Sequence, residues 1–272
     1  MYHCEAVRLF TQCQRVSPLE SPRCRHQRSR YMDRKTLGLT EAITACLFDL
    51  DGVITQTAKV HARAWKHMFD EFLSDRSKQT GEPFVPFDST RDYLEYVDGK
   101  PRVDGVTSFL QSRHIALPEG EVQRLASRKD QLFLELIHRE GVETYEGTIR
   151  YLHAARDAGL KLAVVSSSKN TTEVLRAAKL DGMFDGQVDG VIAEQEHLNG
   201  KPAPDTYLRA ASLLHAPAAH AAVYEDALAG VQAGRAGGFG IVIGIDRDAQ
   251  TDELYAHGAD VVVHDLSELV DR

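Results

Sequence analysis

The chain has 272 residues, of which 43% are hydrophobic and 26% are charged, and its formal net charge is -8. This length suffices for one large domain, or for a core domain that carries a smaller one, with a substantial buried core. The pI of about 5.8 argues against the broad basic surface that nucleic-acid binding uses. No apolar run approaches the roughly 18 residues that a membrane span needs. We therefore expect a cytoplasmic protein without nucleic-acid or membrane partners.

Residues 1–40 differ in composition from the rest of the chain. Arginines crowd a stretch with few acids and no sustained apolar period, which predicts a disordered N-terminal extension. An Arg-rich, acid-poor leader is also typical of a transit peptide, and Met32 offers an alternative translation start. The cysteines form no CxxC pair, so we expect reduced thiols rather than a disulfide or zinc site. They are Cys4, Cys13, Cys24 and Cys46.

Beyond residue 40 the pattern indicates a sheet interrupted by a helical insertion. Residues 43–48 are a short apolar run that ends before Gly52, as expected of a strand buried on both faces. Apolar side chains then recur at three- and four-residue spacing over 57–73, and helical patterns continue to about residue 139. This predicts a helical cap domain over 57–140, inserted into a core domain formed by 41–56 and 141–272.

After Gly141, short β-branched runs alternate with helical patterns, which is typical of parallel strands joined by crossover helices. The predicted strands are 160–166, 190–193, 221–225, 239–243 and 260–263. The predicted helices are 146–158, 170–179, 204–214, 227–236 and 265–271. The expected fold is α/β: a Rossmann-like parallel sheet with helices on both faces, plus the inserted helical cap.

Four polar clusters each follow an apolar run of this pattern. They are 49–53 (DLDGV), 166–170 (SSSKN), 201–205 (KPAPD) and 225–226 (ED). Taken singly each is weak, because Asp and Gly are common in turns and acids often open helices. The carboxyl ends of parallel strands share one edge, however, and ligands bind there. The four clusters together therefore predict a single site.

The acids of this site suggest its chemistry. Asp49 and Asp51 are two residues apart on a glycine turn, so one can attack an electrophile while the other exchanges a proton with the incoming or leaving oxygen. Together with Glu225 and Asp226 they demand a cation, and Mg2+ suits a set of oxygen ligands.

Phosphoryl transfer also requires positive charge and hydrogen-bond donors around the phosphoryl oxygens. Lys201 can supply the charge, and Ser166 with the amides that follow it can supply the donors. The residues therefore predict a Mg2+-dependent phosphoryl-transfer centre.

In this order, with DxD first, then Ser, Lys and an acidic pair, residues 43–270 resemble the haloacid dehalogenase superfamily of phosphotransferases. The chain is more narrowly similar to the β-phosphoglucomutase-like subfamily, which inserts a helical cap after the first strand. The matching residues are 48–55 (FDLDGVIT), Thr57, His61, 64–66 (AWK), 168–170 (SKN) and 201–205 (KPAPD).

The resemblance implies a role for each residue of the core. Asp49 would be the phosphorylated nucleophile and Asp51 the general acid and base. Mg2+ would be held by Asp49, the backbone carbonyl of Asp51 and Asp226, with Glu225 assisting. The transferring phosphoryl group would be bound by Ser166 and Lys201.

For the cap, the resemblance implies that Thr57 and His61 couple cap closure to the placement of Asp51. A second phosphate needs its own anion site, and Arg102 fits because guanidinium binds phosphate as a fork. Trp65 is either a sugar platform or, more simply, core packing. The other substrate-binding residues expected are Gly99, Lys100, Ser167, Ser168, Lys169 and Asn170.

The function implied is an isomerisation of β-glucose 1-phosphate to glucose 6-phosphate through an aspartyl-phosphate and a bisphosphate, by a monomer or an oligomer acting on a small sugar phosphate. A sugar-phosphate phosphatase of the same fold is the alternative. Asp98 and Gln56 keep it open, because they replace a lysine and an acid common in the subfamily. A catalytically idle phosphate-binding module is a third hypothesis, which the presence of Asp49, Asp51 and Lys201 disfavours.

Overall fold

The structure, a computed structural model, describes residues 34–97, 100 and 102–270. In this part of the chain six parallel strands form one sheet, in the order β3-β2-β1-β4-β5-β6. The strands are β1 Ala45–Asp49, β2 Lys161–Val165, β3 Gly186–Val188, β4 Ala221–Glu225, β5 Ile241–Ile245 and β6 Val261–Val263.

After β1 and before α4, the chain forms helices α1 Thr57–Thr80, α2 Arg102–Ser112 and α3 Glu119–Glu140, with a π-helix at Tyr93–Val97. We call this inserted segment the cap. The remaining helices are α4 Glu146–Asp157, α5 Thr171–Ala177, α6 Gly190–Gln195, α7 Asp205–Leu213, α8 Leu228–Ala236, α9 Thr251–His257 and α10 Ser267–Val270. Short 3-10 helices lie at Arg34–Leu37 and Ala218–His220.

Every residue of β1 is buried, because the sheet has a hydrophobic core on each face. Cys46 and Phe48 face one core, where Phe48 stacks on Tyr224 with 4.2 Å between ring centroids. Burial raises the pKa of the Cys46 thiol to about 12. Ala45 and Leu47 face the other core, to which α7, α8 and α9 contribute. The predicted α/β fold, with helices on both faces of a parallel sheet and helices inserted after the first strand, is confirmed.

One predicted strand is wrong. Residues 190–193 lie in α6, and the neighbouring strand is β3, at Gly186–Val188. The carboxylate of Asp189 accepts hydrogen bonds of 3.0 Å from the amides of Val191 and Ile192, which starts a helix where the β-branched pair suggested a strand. Helix α9 was not predicted at all.

The predicted extension is also shorter than 40 residues. Leu37 and Leu39 are buried in the core, and Tyr151 donates a 2.8 Å hydrogen bond to the carbonyl of Leu37. Arg34 donates to the carbonyls of Glu41 and Ile43. Residues 34–40 are thus packed by apolar burial. Residues 1–33, with Cys4, Cys13 and Cys24, lie outside the described residues.

The strand order reverses between β1 and β4, which are neighbours at the centre of the sheet. Ligands bind at such a point in open α/β sheets, beyond the carboxyl ends of the strands. The last residues of β1 and β4 are Asp49 and Glu225, and Asp49 is the register partner of Val165 in β2. Three of the four predicted clusters therefore meet at this edge.

Two linkers connect the cap to the rest of the fold, and they contact each other. Thr55 pairs with Thr144 as an isolated antiparallel bridge. Gln56 donates its amide to the carbonyl of Glu143 at 2.8 Å, and Tyr145 donates its amide to Ile54 at 3.1 Å. We call residues 54–56 and 143–145 the paired linkers. Of the helices described, none has both the length and the apolarity to cross a membrane.

Candidate active site

The turn after β1 is built around Gly52. Its φ of +86° lies in the left-handed region, which L residues with a Cβ rarely adopt. A Cβ at this position would also overlap the carboxylate of Asp226. The glycine therefore lets the backbone that follows Asp51 approach the acidic pair closely.

The ammonium of Lys201 joins two strand ends. It contacts Oδ1 of Asp49 and Oε1 of Glu225, both of which are buried. Glu225 also accepts hydrogen bonds from the hydroxyl of Tyr207 at 2.7 Å and from the amide of Ala227 at 3.2 Å. Sequence reasoning missed Tyr207, which stands in the first turn of α7, immediately after the KPAPD segment.

Asp49, Glu225 and Asp226 each place a carboxylate oxygen within 4.8 Å of the others. Burial raises the pKa of Asp49 well above its ordinary value, with Lys201 opposing the shift. Burial and the Glu225 charge raise the pKa of Asp226 to about 8. Among the described residues, the Lys201 ammonium thus contacts two of these three crowded carboxylates. This excess of negative charge on oxygen donors fits a divalent cation such as Mg2+.

The side chain of Asp51 lies outside that trio and faces the start of the cap. The hydroxyl of Thr57 donates a hydrogen bond to Oδ1 of Asp51, and the hydroxyl of Thr55 lies 3.0 Å from that of Thr57. Burial raises the pKa of Asp51, while the Thr57 hydrogen bond opposes the shift. A raised pKa suits a carboxyl group that must hold a proton before donating it.

One turn after Thr57, His61 is paired with a lysine of α3. Nδ1 of His61 lies 2.7 Å from Nζ of Lys129, and its ring stacks on Phe133 with centroids 4.2 Å apart. Lys129 is only 5% exposed, and its ammonium lies 5.2 Å from the ring centres of Trp65 and Phe133.

These surroundings disfavour charge on both partners. Burial, followed by the nearby Arg102, lowers the pKa of Lys129 to about 7. Burial, followed by Lys129 and Arg102, lowers the pKa of His61 well below its ordinary 6.5. Sequence reasoning missed Lys129. Its signal was an ionisable residue on the apolar face of α3, in register with Leu125 and Phe133.

Replacing Lys129 by methionine should flatten the pH dependence of stability between about pH 7 and pH 10.5. In this range the folded state has lost the lysine proton while the unfolded state retains it, so this group makes stability rise with pH. Lys129→Met should therefore be more stable than the unchanged protein near pH 6, with the difference shrinking toward pH 10.

Urea unfolding at several pH values measures this difference. The charged neighbours of Lys129 are Arg102, Asp130 and Asp51, and all are retained in the variant. The matched control is Lys78→Met, because the Lys78 side chain is 71% exposed on α1. Parallel pH profiles for Lys129→Met and the unchanged protein would contradict the prediction.

The cap residues predicted to bind substrate have partners within the protein. Nη1 of Arg102 lies 3.0 Å from Oδ2 of Asp130. Nζ of Lys100 donates to the hydroxyl of Ser108 at 2.8 Å. Trp65 is 4% exposed and stacks on Phe69 at 5.4 Å, as packing requires, and its contact with substrate stays a prediction. Gly99 lies outside the described residues.

The serine run after β2 forms a hydrogen-bonded turn. The buried hydroxyl of Ser166 accepts from the amide of Ser168 at 3.0 Å, and the Ser168 hydroxyl accepts from the amide of Asn170 at 3.1 Å. Ser167 is exposed, and Lys169 pairs with Glu194 at 2.7 Å, away from the trio of carboxylates. Because Ser166 follows Val165, the register partner of Asp49, it stands beside the turn after β1.

Arg247, in the loop after β5, is a further residue that sequence reasoning missed. It donates from Nε to the carbonyl of Gly52 and from Nη1 to the carbonyl of His264, both at 2.8 Å. Its guanidinium carbon lies 3.5 Å from the ring centroid of Tyr145. One side chain thus joins the turn after β1 to the second of the paired linkers. A lone loop arginine carries no sequence signal for such a role.

Known proteins are similar to this chain in sequence and in fold. A protein named β-phosphoglucomutase from Mycobacterium tuberculosis is 52% identical over 248 residues, which are 87% of this chain and 95% of that protein. A protein of the same name from Bacillus subtilis is 33% identical, over 83% of this chain and 91% of its own. The crystal structure of β-phosphoglucomutase from Clostridium difficile has a TM-score of 0.66 at 25% identity, and covers 84% of this chain and 93% of that one.

A family profile also matches the chain. The sequence profile described as haloacid dehalogenase-like hydrolase matches residues 43–238, which run from the start of β1 to beyond α8. The match includes Asp49, Lys201 and the acidic pair, and it spans the inserted cap. The chain belongs to the haloacid dehalogenase-like hydrolase family.

Proposed function

We propose that this protein is a Mg2+-dependent phosphotransferase that converts β-glucose 1-phosphate into glucose 6-phosphate through a bisphosphate. The observation that carries the proposal is the 52% identity to the mycobacterial β-phosphoglucomutase, which extends over nearly its whole length. The contacts of Asp49, Asp51 and Lys201 support the same chemistry independently.

The reaction uses Asp49 twice. Its carboxylate oxygen attacks phosphorus of the sugar bisphosphate, the bond from phosphorus to the sugar oxygen breaks, and Asp51 gives that oxygen a proton. In the second half, a hydroxyl of the sugar monophosphate attacks the aspartyl-phosphate, Asp51 accepts the hydroxyl proton, and the Asp49 carboxylate is regenerated. The carboxyl pKa raised by burial supports this role for Asp51.

The phosphoryl oxygens are held by Lys201 and Ser166 in this proposal. The side chains of Asp49, Glu225 and Asp226, with the carbonyl of Asp51, would hold Mg2+. When bound, the ion would neutralise charge on the transferring phosphoryl group.

The cap places Asp51 and excludes water. The Thr57 hydroxyl holds the Asp51 carboxyl at the start of α1, and the His61–Lys129 pair lies one turn further along the same helix. Movement of the cap would therefore move the partner of the general acid, and a closed cap would favour a sugar hydroxyl over water as acceptor.

A sugar-phosphate phosphatase is the second candidate, and the hydrolase description of the family profile favours it. The first half-reaction is the same, but water takes the phosphoryl group from Asp49. One assay separates the two candidates: purified protein, Mg2+, β-glucose 1-phosphate and a catalytic trace of the bisphosphate, with glucose 6-phosphate and free phosphate both followed. Isomerisation without phosphate release supports the mutase. Release alone supports the phosphatase, and neither product across a panel of sugar phosphates would refute both.

Replacing Arg102 by alanine should reduce isomerisation by roughly ten- to hundredfold, the value of one charge-assisted hydrogen bond to phosphate. Hydrolysis of p-nitrophenyl phosphate should change less, because this compound has no second phosphate for Arg102 to bind. The matched control is Arg124→Ala, since Arg124 is an exposed cap residue whose partner is Glu121 on its own helix. Equal losses of both activities in Arg102→Ala would remove the proposed distal clamp.

A further inference from the structure

Asp130 contacts two residues that are expected to bind the substrate, Arg102 and Asn170. Its Oδ2 lies 3.0 Å from Nη1 of Arg102, and its Oδ1 accepts a 2.8 Å hydrogen bond from Nδ2 of Asn170. Arg102 begins α2 in the cap, whereas Asn170 precedes α5 beside the sheet. One carboxylate of α3 therefore connects the cap to the strand edge where the site lies.

The donors that Asp130 occupies are those an oxyanion would use. A guanidinium and a carboxamide N–H both prefer charged oxygen acceptors, and a carboxylate offers two oxygens much as one edge of a phosphate does. A phosphate dianion at this place would either share these donors with the carboxylate, against like-charge repulsion, or displace it. Because the Asp130 side chain is 26% exposed and that of Arg102 is 31% exposed, solvent can reach the exchange.

We propose that Asp130 is an internal competitor of the substrate's distal phosphate: its carboxylate holds Arg102 and Asn170 in the free protein and releases them when phosphate binds. This inference rests on the proposed function, which places the distal phosphate on Arg102, and it adds Asn170 to that site. Asp130 is here a specificity-determining residue and not a catalytic one.

The competition would decide which ligands can pair with Arg102. Arg102 is paired in both states, so a ligand gains only the difference between its own interaction with the guanidinium and that of Asp130. A dianionic phosphate can exceed a single carboxylate, whereas the hydroxyl end of a sugar monophosphate cannot. Asp130 would thus weaken the binding of a second phosphate, and it would keep ligands without a second phosphate from contacting Arg102.

Substituting Asp130→Asn tests the competition, with inorganic phosphate as the probe in isothermal titration calorimetry. EDTA is added to remove divalent cations. Without a cation, the carboxylates of Asp49, Glu225 and Asp226 repel phosphate, so the probe is kept from binding beside them. The dissociation constant for phosphate should fall roughly two- to fivefold, the range that partly exposed charge pairs are worth. The control is Asp104→Asn, which removes the same charge from an exposed position on α2 and should leave the constant unchanged.

The same titration with Asp130→Asn in an Arg102→Ala background tests whether the effect of Asp130 depends on Arg102. Asp130→Asn should then lose its effect, since the competitor acts through the guanidinium. Unchanged or weaker phosphate binding in Asp130→Asn, with binding in the parent still dependent on Arg102, would overturn the competition and leave the distal site standing. If Arg102→Ala alone left phosphate binding unchanged, the distal site of the proposed function would fall as well. Thermal unfolding confirms that each variant is folded before it is titrated.

Discussion

Replacing Asp49 by asparagine should reduce both isomerisation and phosphate release by about 10⁴-fold or more, as loss of a catalytic nucleophile does in other enzymes. The amide has nearly the shape of the carboxylate but cannot form the acyl-phosphate. Asp49 is buried at the end of β1, where neighbouring carboxylates repel its negative charge. Removing this charge should therefore leave the fold intact.

Intact-mass spectrometry gives a direct readout. After incubation with the bisphosphate and Mg2+, the unchanged protein should carry a phosphoryl adduct that Asp49→Asn lacks. Asp75→Asn, an exposed change on α1, is the matched control and should retain the adduct and full turnover. An adduct or substantial turnover in Asp49→Asn would show that another residue is the nucleophile.

Replacing Lys201 by methionine should lower the free energy of unfolding by about 3 to 5 kcal/mol, the usual cost of removing one partner from a buried ion pair. The Lys201 ammonium contacts both Asp49 and Glu225, so its loss leaves these buried carboxylates without their cation. Saturating Mg2+ should restore part of this stability, because the ion supplies the missing positive charge and binds only the folded state.

Urea unfolding with and without Mg2+ measures both effects. The control is Lys161→Met at the start of β2, whose side chain is 61% exposed and pairs with Asp185. It should change stability by less than about 1 kcal/mol, with or without the ion. A small loss in Lys201→Met that Mg2+ does not alter would contradict both the buried pairing and the metal site.

The site could be anticipated from sequence where its residues follow strands directly. Asp49 and Glu225 each end a strand, and the parallel sheet then brings them together with no further information. The same rule does not identify Lys129, because this residue of α3 matters only through its burial against α1. It cannot reach Arg247 either, because a loop position becomes informative only when the fold places it against Gly52 and Tyr145.

The errors in the fold have a similar origin. The β-branched pair Val191 and Ile192 favours a strand locally, but the Asp189 carboxylate caps their amides and a helix begins. The arginine-rich composition of residues 1–40 predicted disorder to its end, although tertiary packing buries Leu37 and Leu39. In each case one specific contact outweighed a local propensity.

The paired linkers limit how the cap can move. The two linkers are hydrogen-bonded side by side, so they can bend together but resist twisting about their length. The Arg247 guanidinium adds a further attachment, through Tyr145 and Gly52. Such a joint has one soft rotational degree of freedom. Each closure then returns Arg102 to the same position relative to Lys201 and Ser166. A sugar bisphosphate that turns over between half-reactions would meet an unchanged distance between its two phosphate sites.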